Sequence, residues 1–222
     1  MKLTIVAATG GVGSQLLGQA LAAGHEVTAV VRDPTRISDP SVRVVAADLS
    51  APDPVALRSA VDGADAVLSG LGARSGAEAG VASRGTRAVV DAMRATGVRR
   101  IVVVSAASVG TVPSPGRPNP PRHNPGDGFL MRHIAAPLAK AAFRRHYADL
   151  ALMEDVLRDS GLDWTVSRPP RLLDRRLRRR YRTAYEQNVR GGAFISRADV
   201  AHHMLDVLDQ PETIHRIIGI AY

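Results

Sequence analysis

Near its start this chain carries an apolar, β-branched run that meets a cluster of glycines and then a helical period. Lys2–Ala8 alternates and is rich in β-branched residues, and it leads directly into Thr9-Gly10-Gly11-Val12-Gly13. Ser14–Ala23 follows with Leu16, Leu17, Ala20 and Leu21 at helical spacing, and Gly24 stops it. Glycines between a strand and a helix let the backbone turn tightly and approach an anion closely. The free N–H groups and the positive end of the helix then hold that anion. Placed at the first strand–helix junction, this turn is a candidate site for a dinucleotide pyrophosphate, against the alternative of a tight turn with no ligand. The usual spacing of such a turn has a further glycine at position 7, where this chain has Ala7. A methyl group there is expected to weaken or shift binding without having to abolish it.

The rest of the chain repeats the alternation. Strands are expected at Glu26–Val31, Val42–Ala46, Ala66–Ser69 and Arg100–Ser105, with helices at Asp53–Val61 and Arg84–Ala95. Strand and helix joined by short connections mean parallel βαβ units with right-handed crossovers. Thr111–Pro125 holds six prolines and reads as a long loop, either a lid over a site or an unstructured excursion. Order returns with a helix at Tyr147–Asp159, whose apolar face is Leu150, Met153, Val156 and Leu157, and a strand at Trp164–Ser167. Ser196 then caps a helix with Asp199 three residues on, and Val200, Met204, Val207 and Leu208 form its buried stripe. Ile214–Ile220 reads as a last edge strand. The fold expected is a single α/β domain over residues 1–222, a Rossmann-type, doubly wound, mostly parallel sheet with helices on both faces. Substrate-side elements are expected mainly in 106–195.

Composition narrows the function classes. The chain has 222 residues and no cysteine, which excludes a disulfide scaffold, a cysteine nucleophile and a thiolate metal site. No apolar run approaches the roughly 20 residues that span a bilayer, and the N-terminus lacks the apolar stretch of a signal peptide. A soluble cytoplasmic protein, a monomer or small homo-oligomer with no membrane partner, is expected. The formal charge is +8, yet Arg171–Arg182 alone holds seven arginines and one aspartate. That local patch reads in three ways: it attracts an anionic small-molecule acceptor to a site mouth, it grips nucleic-acid phosphates, or it is a solvated hairpin. The absence of stacking aromatics beyond Tyr181 and Tyr185 argues against nucleic acid. Seven histidines show no metal-ligand spacing. Asp149, Glu154 and Asp155 read as the solvated face of their helix.

The second strand ends Val30-Val31-Arg32-Asp33, with Arg36 after it. An arginine here accommodates a ribose 2′-phosphate, so NADP(H) is expected in preference to NAD(H), with Asp33 as a possible surface partner of Arg32 instead.

Ala8-Thr9-Gly10-x-x-Gly13, Val31-Arg32-Asp33, Asp48-Leu49, Val98-Arg99-Arg100-Ile101-Val102, Ser160-Gly161-Leu162-Asp163-Trp164-Thr165 and Arg168-Pro169-Pro170 occur in that order. Together they resemble the atypical short-chain dehydrogenase/reductase family with an NAD(P)H-binding (NmrA-like) domain, most of all its flavin reductase/biliverdin-IXβ reductase type. The resemblance implies that Thr9, Gly10, Gly11, Val12 and Gly13 wrap the pyrophosphate. It implies that Arg32 and Arg36 meet the 2′-phosphate and that Asp48 and Leu49 contact adenine. Gly72 and Arg74 would line the phosphate and nicotinamide-ribose channel. Ser105 would sit beside the nicotinamide, and Pro169 and Pro170 would close its far side. Two histidines of the flavin reductase type are replaced here, by Leu150 after Asp149 and by Arg171 after the proline pair.

The tyrosine-dependent branch of these enzymes needs Tyr-x-x-x-Lys, which lowers the tyrosine pKa for proton transfer. This chain has only Lys2 and Lys140, and Ala136 stands four residues before Lys140. What is left is hydride transfer in which the cofactor does the chemistry and the protein orients it. The expected function is an NADPH-dependent reductase of a small planar acceptor, flavin or quinone-like, with Ser105 as the catalytic candidate unless it merely ends its strand. The alternative is a non-catalytic NADP(H)-sensing regulator.

Overall fold

The computed structural model describes residues 1–73, 78–129 and 131–222. Its described residues form ten strands: β1 (Lys2–Val6), β2 (Glu26–Val31), β3 (Arg43–Ala46), β4 (Ala66–Ser69), β5 (Arg100–Val104), β6 (Asp163–Arg168), β7 (Arg171–Leu173), β8 (Arg182–Tyr185), β9 (Phe194–Ser196) and β10 (Arg216–Ala221). Six α-helices accompany them: α1 (Gly11–Ala22), α2 (Pro54–Val61), α3 (Val81–Thr96), α4 (Ala136–Ala142), α5 (Arg144–Arg158) and α6 (Arg197–Asp206). Eight strands make one sheet in the order β3-β2-β1-β4-β5-β6-β10-β8. All neighbours are parallel except β10 and β8. The strand order reverses direction between β1 and β4. That reversal opens a crevice at the carboxyl ends of the strands.

The near-continuous apolar strands are explained by burial on both faces. In β5, Ile101 and Val103 join Leu57, Val89, Met93, Met153 and Leu157 in one core beneath α2, α3 and α5. Val102 and Val104 join Leu3, Ile5, Leu16, Ala20, Val200 and Met204 in a second core beneath α1 and α6. Adjacent side chains on one strand thus feed opposite cores, as the pleat requires.

Caps fix where the helices begin. Asp53 accepts a hydrogen bond from Val55 N at 2.8 Å with Pro54 in the first helical position. Ser196 accepts from Asp199 N at 2.9 Å, as its sequence pairing suggested. The start of α3 is capped from elsewhere: Asp149 of α5 accepts from Ala82 N and Ser83 N, each at 3.0 Å.

Three sequence expectations need correction. The last strand, β10, is not an edge, because β8 from the end of the arginine-rich segment pairs outside it. The polar Arg-Thr-Ala-Tyr of β8 hides this, since an edge strand need not carry an apolar face. Asp149, Glu154 and Asp155 do not face solvent; all three are buried, and each is satisfied by specific donors. The described residues of the proline-rich loop do not line the main cleft, and the loop is not an unstructured excursion. Its chain is tied down instead: Asp155 accepts from Ser114 Oγ at 3.0 Å and Gly116 N at 2.9 Å, and Asn124 Oδ1 accepts from Asn188 N at 2.7 Å. A π-helical turn (Met131–Ala135) and α4 occupy a stretch with no assignment from sequence.

Candidate functional site

A cleft of about 590 Å³ runs along the carboxyl ends of β1, β2, β4 and β5. Its floor is the glycine turn. Ala7 adopts a left-handed conformation with φ 58°, and its carbonyl accepts from Gly10 N at 2.8 Å. The chain is packed so tightly here that a Cβ on Gly13 would lie 2.0 Å from the Ala7 carbonyl oxygen. A Cβ on Gly70, just beyond β4, would lie 2.8 Å from Gly13 N. Glycine is therefore required at 13 and 70 for backbone to meet backbone. No side chain caps α1, so the first N–H groups of the helix keep no intrahelical or capping partner. The exposed backbone donors and the positive helix end fit a diphosphate, and the missing side chains give it room to approach.

One end of the cleft lies beyond β2 and β3, where Arg32, Asp48, Leu49, Ser50, Glu78 and Arg84 line it. Arg32 pairs with Glu78 (Nη1–Oε1 2.8 Å) and not with Asp33. Asp33 is engaged by Thr35, whose hydroxyl and backbone N–H hold its carboxyl below the usual range. Asp48 is likewise held low by the backbone N–H and hydroxyl of Ser50, so it stands in the wall as a fixed anion.

The other end lies beyond β5. Ser105 lines it and is itself buried, 7% exposed. Its backbone N–H donates to Ser167 O at 2.8 Å, which fixes it to β6. Its hydroxyl donates to Glu154 Oε1 at 2.8 Å. Glu154 is 2% exposed and also accepts from Arg168 Nε at 2.8 Å, from a second Arg168 nitrogen, and from Arg158 Nη2 at 3.0 Å. With its proton committed to Glu154, the Ser105 hydroxyl can offer the cleft only its lone pairs. Leu150, Leu172, Gly72 and His146 complete this end. Burial lowers the His146 pKa, partly offset by Asp149.

The structure gathers most of the sequence-derived candidates in this one cleft: Thr9, Gly10, Gly11, Val12, Arg32, Asp48, Leu49, Gly72 and Ser105. Gly13 lies directly beneath it. Arg36, Pro169 and Pro170 do not line it; Arg36 sits on an exposed 3-10 turn, and the Pro169 carbonyl accepts from Ala107 N at 2.9 Å. Leu172 takes the place in the wall expected of the prolines. Arg74 lies outside the described residues. Sequence reasoning missed His146, Arg197 and Glu78. Only His146 had a readable signal, since it stands one helical turn before Leu150, the position noted as lacking a polar group. Among the described residues, no three His, Cys, Asp or Glu side chains come together as metal ligands, and no helix is long and apolar enough to cross a membrane.

A doubly wound parallel sheet with a glycine turn at its switch point defines a Rossmann-type nucleotide-binding protein. More narrowly, a model of the NAD(P)H-binding family matches residues 7–211, and the chain belongs to that family. It is similar to YwnB of Bacillus subtilis, 26% identical over 226 aligned positions that cover 96% of this chain and 94% of that protein. Among solved structures it is similar to ChuY of Escherichia coli O157:H7, an anaerobilin reductase, with TM-score 0.76, 25% identity and coverage of 100% and 97% of the two chains. It is also similar to SP1627 of Streptococcus pneumoniae, a nominal NADH-flavin reductase, with TM-score 0.75, 25% identity and coverage of 100% and 99%.

Proposed function

We propose that the protein is an NADPH-dependent reductase of a small planar acceptor, flavin or quinone-like. The observation that carries this reading is the single cleft that joins a glycine turn, an arginine at the end of β2 and a buried, oriented serine at the end of β5. When bound, a reduced nicotinamide supplies the hydride. The chain's own residues bind, orient and enclose. Gly11 and Val12, in the first turn of α1, offer backbone N–H groups to a diphosphate, while Gly10 N stays bonded to Ala7 O. Arg32 exchanges Glu78 for a 2′-phosphate, a charge-assisted and potentially bidentate contact. Asp48 and Leu49 flank the base.

Ser105 accepts a hydrogen bond from a carboxamide N–H₂ and so fixes which face of the ring meets the acceptor. Leu150 and Leu172 present apolar surface to a planar ring and exclude water from it. His146 lines this end, with its imidazole pKa lowered by burial. ChuY and SP1627, both described as reductases, support the reaction class. The arginine-rich segment begins beside Leu172, which supports an acceptor that carries negative charge.

The test is calorimetric titration of NADPH and NADH, followed by addition of FMN or a quinone while nicotinamide absorbance is read. NADPH binding with acceptor-dependent oxidation is the expected result. Binding without oxidation by any planar acceptor would favour a redox-sensing regulator. Arg32→Ala is expected to weaken NADPH by about 10-fold or more and NADH far less, from the loss of a charged hydrogen bond. Equal losses would remove Arg32 from the 2′-phosphate site.

A further inference from the structure

Arg197, the first residue of α6, reaches the cleft from the far half of the chain. Its guanidinium lies directly on the glycine turn: a Cβ on Gly11 would meet Arg197 Nε at 2.6 Å and Cδ at 2.8 Å. The register of a small parallel ladder puts it there. β7 and β9 pair Leu172 with Ile195 and Leu173 with Ser196, so the next residues in step are Asp174 and Arg197. They form an ion pair, Arg197 Nη1 to Asp174 Oδ1 at 2.7 Å. The base of the arm is fixed, because Ser196 is bonded to Asp199 and to the Tyr222 hydroxyl.

The electrostatics of this arrangement are incomplete. A helix N-terminus is positive and favours anions, yet the group laid against the start of α1 is a cation. Among the described residues, the carboxylate paired with that cation belongs to Asp174, whose side chain is 87% exposed, and pairs of that kind contribute little. Two positive elements, the uncapped N–H groups of α1 and the guanidinium, therefore converge on one point of the cleft floor. A diphosphate diester, with one negative charge on each phosphate, satisfies both.

We propose that Arg197 is a diphosphate clamp, which gives up Asp174 to bind the pyrophosphate of the cofactor together with the backbone N–H groups of the glycine turn. The assignment rests on the dinucleotide reading of the cleft given above. It makes the second half of the chain, through α6 and the β7–β9 ladder, part of the cofactor site. Because β7 also carries Leu172 into the acceptor end, cofactor binding and the acceptor wall share one support.

The experiment is calorimetry of NADPH and NADH on the wild type and on Arg197→Met. The clamp touches what both dinucleotides share, so both affinities are expected to fall by the same factor, about 10- to 100-fold, with their ratio unchanged. This separates Arg197 from Arg32, whose loss acts on NADPH selectively. Wild-type affinity for both dinucleotides in Arg197→Met, or a loss confined to NADPH, would overturn the clamp. If Arg197→Met does not fold, Arg197→Gln retains a donor toward Asp174 and carries the same test with the same two outcomes. A wild type that binds neither dinucleotide would overturn the reading of the cleft itself, a result distinct from intact binding that ignores Arg197.

Discussion

Ala7 holds the left-handed conformation that glycine takes at this point of the turn, with φ 58°. An L-residue there costs about 1–2 kcal/mol, because Cβ crowds the following carbonyl. The chain bears that strain and still closes the turn, with Gly10 N donating to Ala7 O. The substitution strains the turn without dismantling it, so Ala7 bears on stability as well as on binding. Ala7→Gly is expected to raise unfolding free energy by about 1 kcal/mol or less, since the gain is offset by the greater freedom of glycine in the unfolded chain. Denaturant titration reads this. A destabilised Ala7→Gly would mean that the methyl group packs better than its backbone is strained. At this scale the glycine turn, Arg32 and Ser105 were legible from sequence, because their signal is local: small residues, or one charged or polar residue, at the end of an apolar strand. His146 was not singled out, because its use depends on which face of α5 overhangs Gly72.

Helix α5 is where local reasoning met its limit. A period of Leu150, Met153, Val156 and Leu157 left its carboxylates to the solvent side, yet the helix is covered on more than one side. The sheet lies beneath it, α3 lies beside it, and the 107–117 loop wraps its exposed flank. Asp149 becomes the cap of α3, Asp155 becomes the anchor of the loop, and Glu154 receives Arg168, Arg158 and Ser105. A buried carboxylate that loses its main partner keeps the desolvation cost without the compensation. Arg168→Met is expected to destabilise the fold by about 3 kcal/mol, the low end of the range for broken buried pairs because Arg158 still reaches Glu154. Adding Glu154→Leu to it is expected to restore part of the loss. Unchanged stability in the single variant would show that the pair carries no weight. Strand β8 shows the same limit in a sheet, as its pairing depends on β10 offering a free edge and not on its own apolar pattern.

The whole molecule carries a pH signature set by burial. His203 of α6 is 3% exposed against the sheet, with Nδ1 3.1 Å from Ser167 Oγ. Burial pushes its pKa from 6.5 down to about 4, beyond what nearby Asp206 restores. The unfolded chain binds a proton near pH 6.5 that the folded chain refuses, so stability is full above that pH. It is expected to fall by up to about 3 kcal/mol as pH drops toward 4. Asp199 adds to the acid loss at lower pH. Burial would raise its pKa, but donation from Tyr222, Ser196 and the backbone of Arg178 and Arg179 holds it below the usual value. Denaturation at several pH values on the wild type and His203→Asn checks this; the variant should show a flatter slope between pH 6.5 and 4, and an equal slope would assign the effect elsewhere. The alternation of strand and helix, the parallel sheet and the glycine turn are all written locally in the chain, because apolar period and glycine placement act between near neighbours. Long-range packing places Arg197 on that turn, Glu78 against Arg32, and three carboxylates of α5 facing inward. These contacts join residues far apart in the chain, and their partners are set by strand order and ladder register, which no local pattern encodes.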